Sequence, residues 1–175
     1  MEIKGKKFES LLSSTVLQTR VSELAHQINL DFKGKSPIVI VVLNGAYAFA
    51  TDLLRKLELE LEIAFVKFVS YEGLATTGTV DEVIGLDKNI HDRDVLVIED
   101  IVDTGLTMSE ILRLLKSHHP SSIATATLLF KPECIKKEVK LQYIGFEIAP
   151  DYVVGYGLDF DGLGRNLPEI YKLVE

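Results

Sequence analysis

The sequence predicts an α/β fold with a mostly parallel core sheet flanked by helices. Two aliphatic runs, Ile38–Leu43 and residues 95–98, have the composition of strands buried on both faces. Segments with helical spacing follow both runs, and this alternation of strand and helix is typical of parallel sheets. The chain has 175 residues and no Pro-, Gly- or Ser-rich linker, so we expect a single domain over residues 1–175.

The first half of the chain begins with a predicted helix. Its apolar face consists of four residues at helical spacing: Leu17, Val21, Leu24 and Ile28. Asn44-Gly45 ends the first aliphatic strand, and residues 46–57 return to helical spacing. Residues 59–69 alternate between apolar and charged types, which predicts a half-exposed strand. Residues 71–82 contain two glycines and three threonines with little periodicity, which predicts a loop.

The second half continues the alternation. The strand at 95–98 precedes a helix predicted from about residue 107 to residue 118. Thr107 and Glu110 have the spacing of a capping box at its start. Further strands are predicted at 123–130, 143–146 and 152–156.

Composition excludes several classes of protein. The net charge of −7 argues against binding to a nucleic-acid backbone or a membrane surface. The single cysteine, Cys134, cannot form an intrachain disulfide, which favours a reducing compartment. The first residues lack the apolar core of a signal peptide, and the longest aliphatic run has six residues, too few to span a membrane. We therefore expect a cytoplasmic protein.

The densest polar chemistry lies in residues 95–107. A buried strand leads there into three carboxylates and then into a turn with hydroxyls and a glycine, comprising Glu99, Asp100, Asp103, Thr104, Gly105 and Thr107. Backbone N–H groups at a helix start bind anions, whereas carboxylates accept hydrogen bonds from ribose hydroxyls or bind Mg²⁺. The segment therefore fits a sugar phosphate. The alternative is that Thr107 only caps the helix and that the acids are solvated.

Residues 97–107, VIEDIVDTGLT, resemble the phosphoribosyl-diphosphate (PRPP) motif of the type I phosphoribosyltransferases. Three further segments resemble the hypoxanthine-guanine phosphoribosyltransferases: LLFK at 128–131, YVVGYGLD at 152–159, and Arg165. Ser70-Tyr71 resembles the start of that family's mobile loop. The matches extend from about residue 43 to residue 165. They imply the type I fold, with a core of about 35–150 and a small hood formed by the N-terminal segment and about 151–175.

The resemblance also implies how PRPP is bound. Glu99 and Asp100 accept the ribose hydroxyls, and Arg165 contacts the diphosphate. The 5′-phosphate lies on the turn formed by Thr104, Gly105, Leu106 and Thr107. Where the family often has lysine or arginine before a glycine, this chain has Asn44-Gly45, so we assign the diphosphate loop to Gly45.

For the purine, the resemblance places Asp103 near N7 as the general acid/base and Lys131 at the exocyclic O6. Tyr152 stacks on the base, Val153 contributes its backbone, and Asp159 belongs to the same purine-binding segment. From the residues alone, Asp103 could instead cap the turn, Lys131 could extend to water, Tyr152 could be an ordinary strand-end aromatic, and Arg165 could form a surface ion pair.

The implied reaction transfers 5-phosphoribose from PRPP to N9 of a 6-oxopurine, giving IMP or GMP and diphosphate. Mg²⁺ is the implied cofactor, with Asp159, Glu99 and Asp100 as candidate ligands. The family implies a homodimer or homotetramer. The rival hypotheses are a regulatory RNA-binding member of the same fold and a receiver-like or phosphatase-like domain whose acids bind Mg²⁺.

Overall fold

The structure of the protein is a computed structural model, which describes residues 1–70 and 80–174. Its helices are α1 (Ser14–Asp31), α2 (Tyr47–Leu54) and α3 (Leu106–Ser117), with a short 3₁₀-helix at Pro132–Cys134. Its strands are β1 (Glu2–Ile3), β2 (Lys6–Leu12), β3 (Ile38–Leu43), β4 (Glu62–Ser70), β5 (Val80–Ile84), β6 (Asp94–Val102), β7 (Ser122–Phe130), β8 (Tyr143–Glu147), β9 (Val153–Val154) and β10 (Ile170–Leu173). No helix in these two ranges is long and apolar enough to cross a membrane.

The core sheet has the strand order β5-β4-β3-β6-β7-β8. All neighbouring strands are parallel except β4 and β5, which are antiparallel. The central strand β3 has five consecutive buried residues because helices cover both faces of the sheet. The predicted α/β fold is therefore confirmed, and the strand at Ile38–Leu43 has the predicted bounds.

Each face of the core sheet has its own apolar core. Helices α1 and α2 pack on one face, where Leu17, Val21, Leu24 and Ile28 are buried as their spacing predicts. Helix α3 packs on the other face through Met108, Ile111 and Leu115.

The second sheet is antiparallel, has the order β1-β2-β10-β9, and joins the two ends of the chain. Phe8 of β2 packs edge-to-face on Phe160, with ring centroids 5.5 Å apart. This small sheet is the hood that the type I fold has above its core sheet.

Several local expectations were wrong. Strand β6 continues through Glu99 and Asp100 to Val102 because it remains paired with β7, so these two acids lie within a strand rather than after it. Helix α3 begins at Leu106, with Gly105 as its cap and no side-chain cap. The expected capping box is absent because Thr107 lies within the helix rather than at its N-cap, and the Glu110 carboxylate accepts a hydrogen bond from Arg113 instead.

The remaining differences concern strand lengths. Residues 80–82, expected in a loop, belong to β5, while residues 71–79 of that expected loop lie outside the described residues. The expected strand at 152–156 is reduced to the two residues of β9 because Gly155 and Gly157 adopt positive φ values.

Candidate active site

A cleft of about 350 Å³ opens at the carboxyl ends of β3 and β6, where parallel α/β sheets bind ligands. The hood closes one side of it through the loop after β9. Nine of the residues expected at the site line this cleft: Gly45, Glu99, Asp100, Asp103, Thr104, Gly105, Thr107, Asp159 and Arg165.

Glu99 and Asp100 form a buried acidic pair at the base of the cleft. Glu99 is only 7% exposed. Its pKa is raised well above the usual value, first by burial and then by the neighbouring Asp100 carboxylate. Burial also raises the pKa of Asp100, against the opposing effect of its hydrogen bonds. Two buried acids side by side favour a ligand that donates hydrogen bonds or carries a metal ion.

Gly45 allows this pair to approach the loop after β3. A β-carbon on Gly45 would lie 1.4 Å from Oδ2 of Asp100, so the observed packing is possible only without a side chain there. The Gly45 carbonyl in turn lies against Gly157 of the hood loop, where an added β-carbon would be 2.0 Å away. Glycine is therefore required at both positions, and Gly45 brings the β3 loop, β6 and the hood loop into contact.

The turn before α3 is held by the segment that follows Lys131. The Thr104 carbonyl accepts hydrogen bonds from the backbone N–H groups of Lys136 and Lys137, at 3.0 and 3.2 Å. Gly105 has φ +78°, and a β-carbon there would lie 2.1 Å from the Lys137 carbonyl. The Thr104 hydroxyl accepts a hydrogen bond from the N–H of Leu106. Backbone contacts from residues 136–137 therefore hold the turn in place. Thr107 remains exposed at the cleft.

Lys131 and Asp103 form an ion pair. The Lys131 Nζ donates to Oδ2 of Asp103 at 2.9 Å. The lysine side chain is 9% exposed and that of the aspartate 45%. Lys131 therefore does not extend to water, and Asp103 does not cap α3. The arrangement places a buried ammonium donor beside a half-exposed carboxylate at the end of β6.

Asp159 and Arg165 meet on the hood side of the cleft. Arg165 Nη2 contacts Oδ1 of Asp159 at 2.5 Å, and its Nη1 donates to the Gly157 carbonyl at 2.7 Å. The Gly162 N–H donates to Oδ2 of Asp159 at 2.8 Å. The ion pair considered for Arg165 is therefore formed, but with an acid of the cleft itself.

Tyr152, Val153, Leu106 and Lys131 are not among the residues that line the cleft surface. Tyr152 is 47% exposed, and its ring packs edge-to-face on Phe160 with centroids 5.6 Å apart. The Val153 side chain is buried in the core, which leaves only its backbone for a ligand. Ser70 ends β4, and Tyr71 lies outside the described residues.

Sequence reasoning missed three features of the cleft. Phe68 and Met108 contribute to its apolar wall. Tyr47, at the start of α2, donates from its hydroxyl to the Arg165 carbonyl at 2.8 Å. The alternation along β4 could have indicated Phe68, whereas the partner of Tyr47 is 118 residues away and leaves no local signal.

A metal ion would need ligands from the substrate. Among residues 1–70 and 80–174, no three histidine, cysteine or acidic side chains form a cluster able to hold a metal. Glu99, Asp100 and Asp159 nevertheless line one cleft with carboxylate oxygens, the ligand type Mg²⁺ prefers. Since Mg²⁺ is commonly held by one or two carboxylates together with substrate phosphates, this donor set fits a magnesium–phosphate complex.

Comparison with known proteins agrees with this geometry. The family model described as a phosphoribosyl transferase domain matches residues 9–161. A hypoxanthine-guanine phosphoribosyltransferase of Aquifex aeolicus is 40% identical over 174 residues, covering 98% of each chain. One of Mycobacterium tuberculosis is 41% identical over 170 residues, covering 93% of this chain and 84% of its own.

The chain is also similar in fold to a solved structure. The crystal structure of a hypoxanthine-guanine phosphoribosyltransferase from Bacillus anthracis superposes with a TM-score of 0.91 at 40% identity, covering 97% of this chain and 98% of the other. From the match in sequence and fold over nearly the whole chain, together with the acidic strand end and the threonine turn of the cleft, the chain belongs to the phosphoribosyltransferase family, among the hypoxanthine-guanine phosphoribosyltransferases.

Proposed function

We propose that this chain transfers the 5-phosphoribosyl group of PRPP to N9 of a 6-oxopurine. The bond between C1′ and the diphosphate oxygen breaks as N9 attacks C1′, giving IMP from hypoxanthine or GMP from guanine, and diphosphate. The observation that carries the proposal is the buried Lys131 ammonium, which is paired with Asp103 beside the turn at residues 104–107. An ammonium has only donors, so it selects a 6-oxo over a 6-amino group.

In this proposal Glu99 and Asp100 accept hydrogen bonds from the 2′- and 3′-hydroxyls of the ribose. Burial raises the pKa of both acids, and hydroxyl donors or a bound cation oppose this effect by favouring the ionised form. The turn at residues 104–107 holds the 5′-phosphate through backbone N–H groups and the Thr107 hydroxyl. The sugar is thereby fixed at both ends, which supplies the proximity that the displacement needs.

The diphosphate lies between the β3 loop and the hood. Arg165 provides charge against it, and the backbone at Gly45 provides hydrogen-bond donors without a side chain in the way. Asp159 and the acidic pair would hold Mg²⁺ together with PRPP oxygens. When bound, Mg²⁺ neutralises charge on the leaving group.

The purine occupies the side of the cleft nearest Lys131 and Asp103. Tyr152 stacks on its face, and the backbone at Val153 contacts its edge. The Lys131 ammonium leaves Asp103 in part to donate to O6, while the Asp103 carboxylate takes the proton that the purine carries on N7. Both groups meet the same edge of the base because their contacting atoms lie 2.9 Å apart.

The roles of the core and the hood, the partners and the cellular location follow from the same proposal. The core of about 35–150 carries the PRPP site, and the hood of the N-terminal segment and about 151–175 covers the purine. The partners are PRPP and the base, with no nucleic acid or membrane, as the net charge of −7 favours. We assign a homodimer or homotetramer and a cytoplasmic location, the latter consistent with the free thiol of Cys134.

A spectrophotometric assay tests the proposal. Purified protein is mixed with Mg²⁺, PRPP and hypoxanthine, guanine, xanthine or adenine in turn, and nucleotide formation is followed by absorbance. We expect transfer to at least one 6-oxopurine and at most a trace with adenine. Efficient transfer to adenine, or to none of the four bases, would contradict the proposal.

A further inference from the structure

The loop that carries the diphosphate-binding side chains is attached to the core by a buried hydroxyl. Tyr156, 6% exposed, donates from Oη to Oδ2 of Asp52 on α2 at 2.6 Å. The Gln18 side chain of α1 donates to the same oxygen. One carboxylate oxygen of Asp52 therefore accepts hydrogen bonds from the hood loop and from α1. Through it, both elements are linked to α2.

Tyr156 lies next to a residue that hydrogen-bonds with Arg165. The next residue, Gly157, accepts from Arg165 Nη1 at 2.7 Å and donates its N–H to the Arg165 carbonyl at 3.0 Å. Gly157 also lies against the Gly45 carbonyl, as described above. A shift of the chain at Tyr156 would therefore alter both the guanidinium and the contact between the hood loop and the β3 loop.

The backbone at Tyr156 indicates that its side chain is needed. Its φ of +50° lies in the left-handed region, between Gly155 and Gly157, which also have positive φ values. A bulky residue in this region is strained, and glycine would avoid that strain. The burial of the ring and its hydrogen bond to Asp52 offset the strain, so a turn alone does not explain tyrosine at this position.

We propose that Tyr156 and Asp52 are positioning residues for PRPP, which set Arg165 and Asp159 against the Gly45 loop. This inference rests on the proposed function, because it identifies the diphosphate as the group that the loop binds. Neither residue touches substrate in this assignment; each acts through the hood loop. PRPP affinity should therefore depend on the Tyr156–Asp52 hydrogen bond, and base affinity should not.

Tyr143 provides a matched control. It is also buried, at 4% exposure, and its hydroxyl donates to Oδ2 of Asp31 at 2.8 Å. The contact joins β8 to the end of α1 and lies away from the cleft lining. Tyr156→Phe and Tyr143→Phe thus remove the same type of hydrogen bond, and both should lower Tm by similar amounts.

Steady-state kinetics then separate positioning from stability. Tyr156→Phe should raise KM for PRPP about 3- to 10-fold, the range for one lost hydrogen bond, with KM for the base within 2-fold of wild type. Tyr143→Phe should change neither. Asp52→Asn keeps an oxygen acceptor for Tyr156, so its KM for PRPP should stay near the wild-type value. Asp52→Ala removes the acceptor and should behave like Tyr156→Phe.

Calorimetric titration of each variant with PRPP and Mg²⁺ makes the test independent of base transfer. A Kd for PRPP raised in Tyr156→Phe and Asp52→Ala alone supports the positioning role. An unchanged Kd and KM in these two variants, or the same rise in Tyr143→Phe, would overturn it. If the wild type binds PRPP but transfers to no base, the proposed function fails while the Kd values still decide the role of Tyr156. A Tyr156→Phe protein that does not fold leaves Asp52→Ala to decide the question.

Discussion

The ammonium of Lys131 and the carboxylate of Asp103 contact each other directly, at 2.9 Å, although 28 residues separate them in the sequence. Lys131 follows β7 and Asp103 follows β6, and these strands are neighbours in register, with Val102 opposite Phe130. The parallel pairing therefore places the two residues that the proposed function assigns to the purine edge side by side. The effects of substituting Lys131 and Asp103 on kcat/KM should consequently be non-additive.

Lys131→Met should lower kcat/KM for the 6-oxopurine by about 10- to 150-fold, because a charge-assisted hydrogen bond contributes roughly 1.5–3 kcal/mol. Methionine keeps the length of the apolar stem. KM for PRPP should change little, since the turn and the acidic pair are intact. Steady-state kinetics with each substrate varied provide the measurement. Unchanged kcat/KM for every 6-oxopurine would contradict the role of Lys131.

Asp103→Asn should lower kcat by about 10²- to 10⁴-fold, the range for loss of a general acid/base, with little change in KM for PRPP. Combining it with Lys131→Met should give a loss smaller than the product of the two single losses, because contacting residues are not additive. A double-mutant cycle on kcat/KM measures this. Fully multiplicative losses would mean that the ion pair has no part in base recognition.

Gly45→Ala should weaken PRPP binding strongly, because its β-carbon would overlap the Asp100 carboxylate and displace either the acid or the loop. We expect KM for PRPP to rise at least about 10-fold, which corresponds to about 1.4 kcal/mol. Gly34→Ala is the control: it has open space around it but φ +77°, so it should cost roughly 1–2 kcal/mol of stability without changing KM. Equal KM values in both variants would exclude a special role for Gly45.

The acidic pair should make the stability of the free protein fall as pH rises. Since the pKa of Glu99 is raised on folding, the folded state keeps a proton that the unfolded chain releases, and stability is lost as pH increases through the raised pKa. Glu99→Gln should therefore flatten the decline and raise Tm at pH 8, by about 2–4 °C for each kcal/mol relieved. Thermal unfolding from pH 5 to pH 8 provides the comparison.

Glu110→Gln is the matched control for this measurement. The pKa of Glu110 is lowered by its hydrogen bond with Arg113, so its contribution is present at neutral pH and is lost as pH falls. It should leave the decline at higher pH intact. A wild-type Tm that is flat between pH 5 and pH 8 would contradict the proposed titration of Glu99.

Removal of divalent metal should abolish activity, because the leaving group carries several negative charges and the cleft holds the three carboxylates proposed as metal ligands, Glu99, Asp100 and Asp159. Excess chelator should stop transfer, and added Mg²⁺ should restore it. Tm of the free protein should not respond to chelator, since the described side chains do not form a closed metal site on their own. Full turnover in excess chelator would contradict the role of Mg²⁺.

Local sequence determined the central part of the fold. Six consecutive aliphatic residues predict β3, because a strand covered on both faces can bury such a run, and five of the six are buried. The order of acids, hydroxyls and glycine after the β6 core predicted a ligand site there, and these residues line the cleft. These features depend on neighbours in the chain, and the described structure retains them despite the longer β6 and the earlier start of α3.

Tertiary structure decided the features that join distant parts of the chain. β2 pairs with β10 across more than 150 residues, and short strands of this kind carry too few residues for a pattern to indicate their partners. The Lys131–Asp103 ion pair, the approach of Gly45 to Asp100, and the hydrogen bond from Tyr156 to Asp52 likewise join residues 28, 55 and 104 positions apart. Sequence determines which chemical groups are available, because residue type and spacing are local properties. Only sheet register and the docking of the hood determine which groups meet, because these depend on packing over the whole chain.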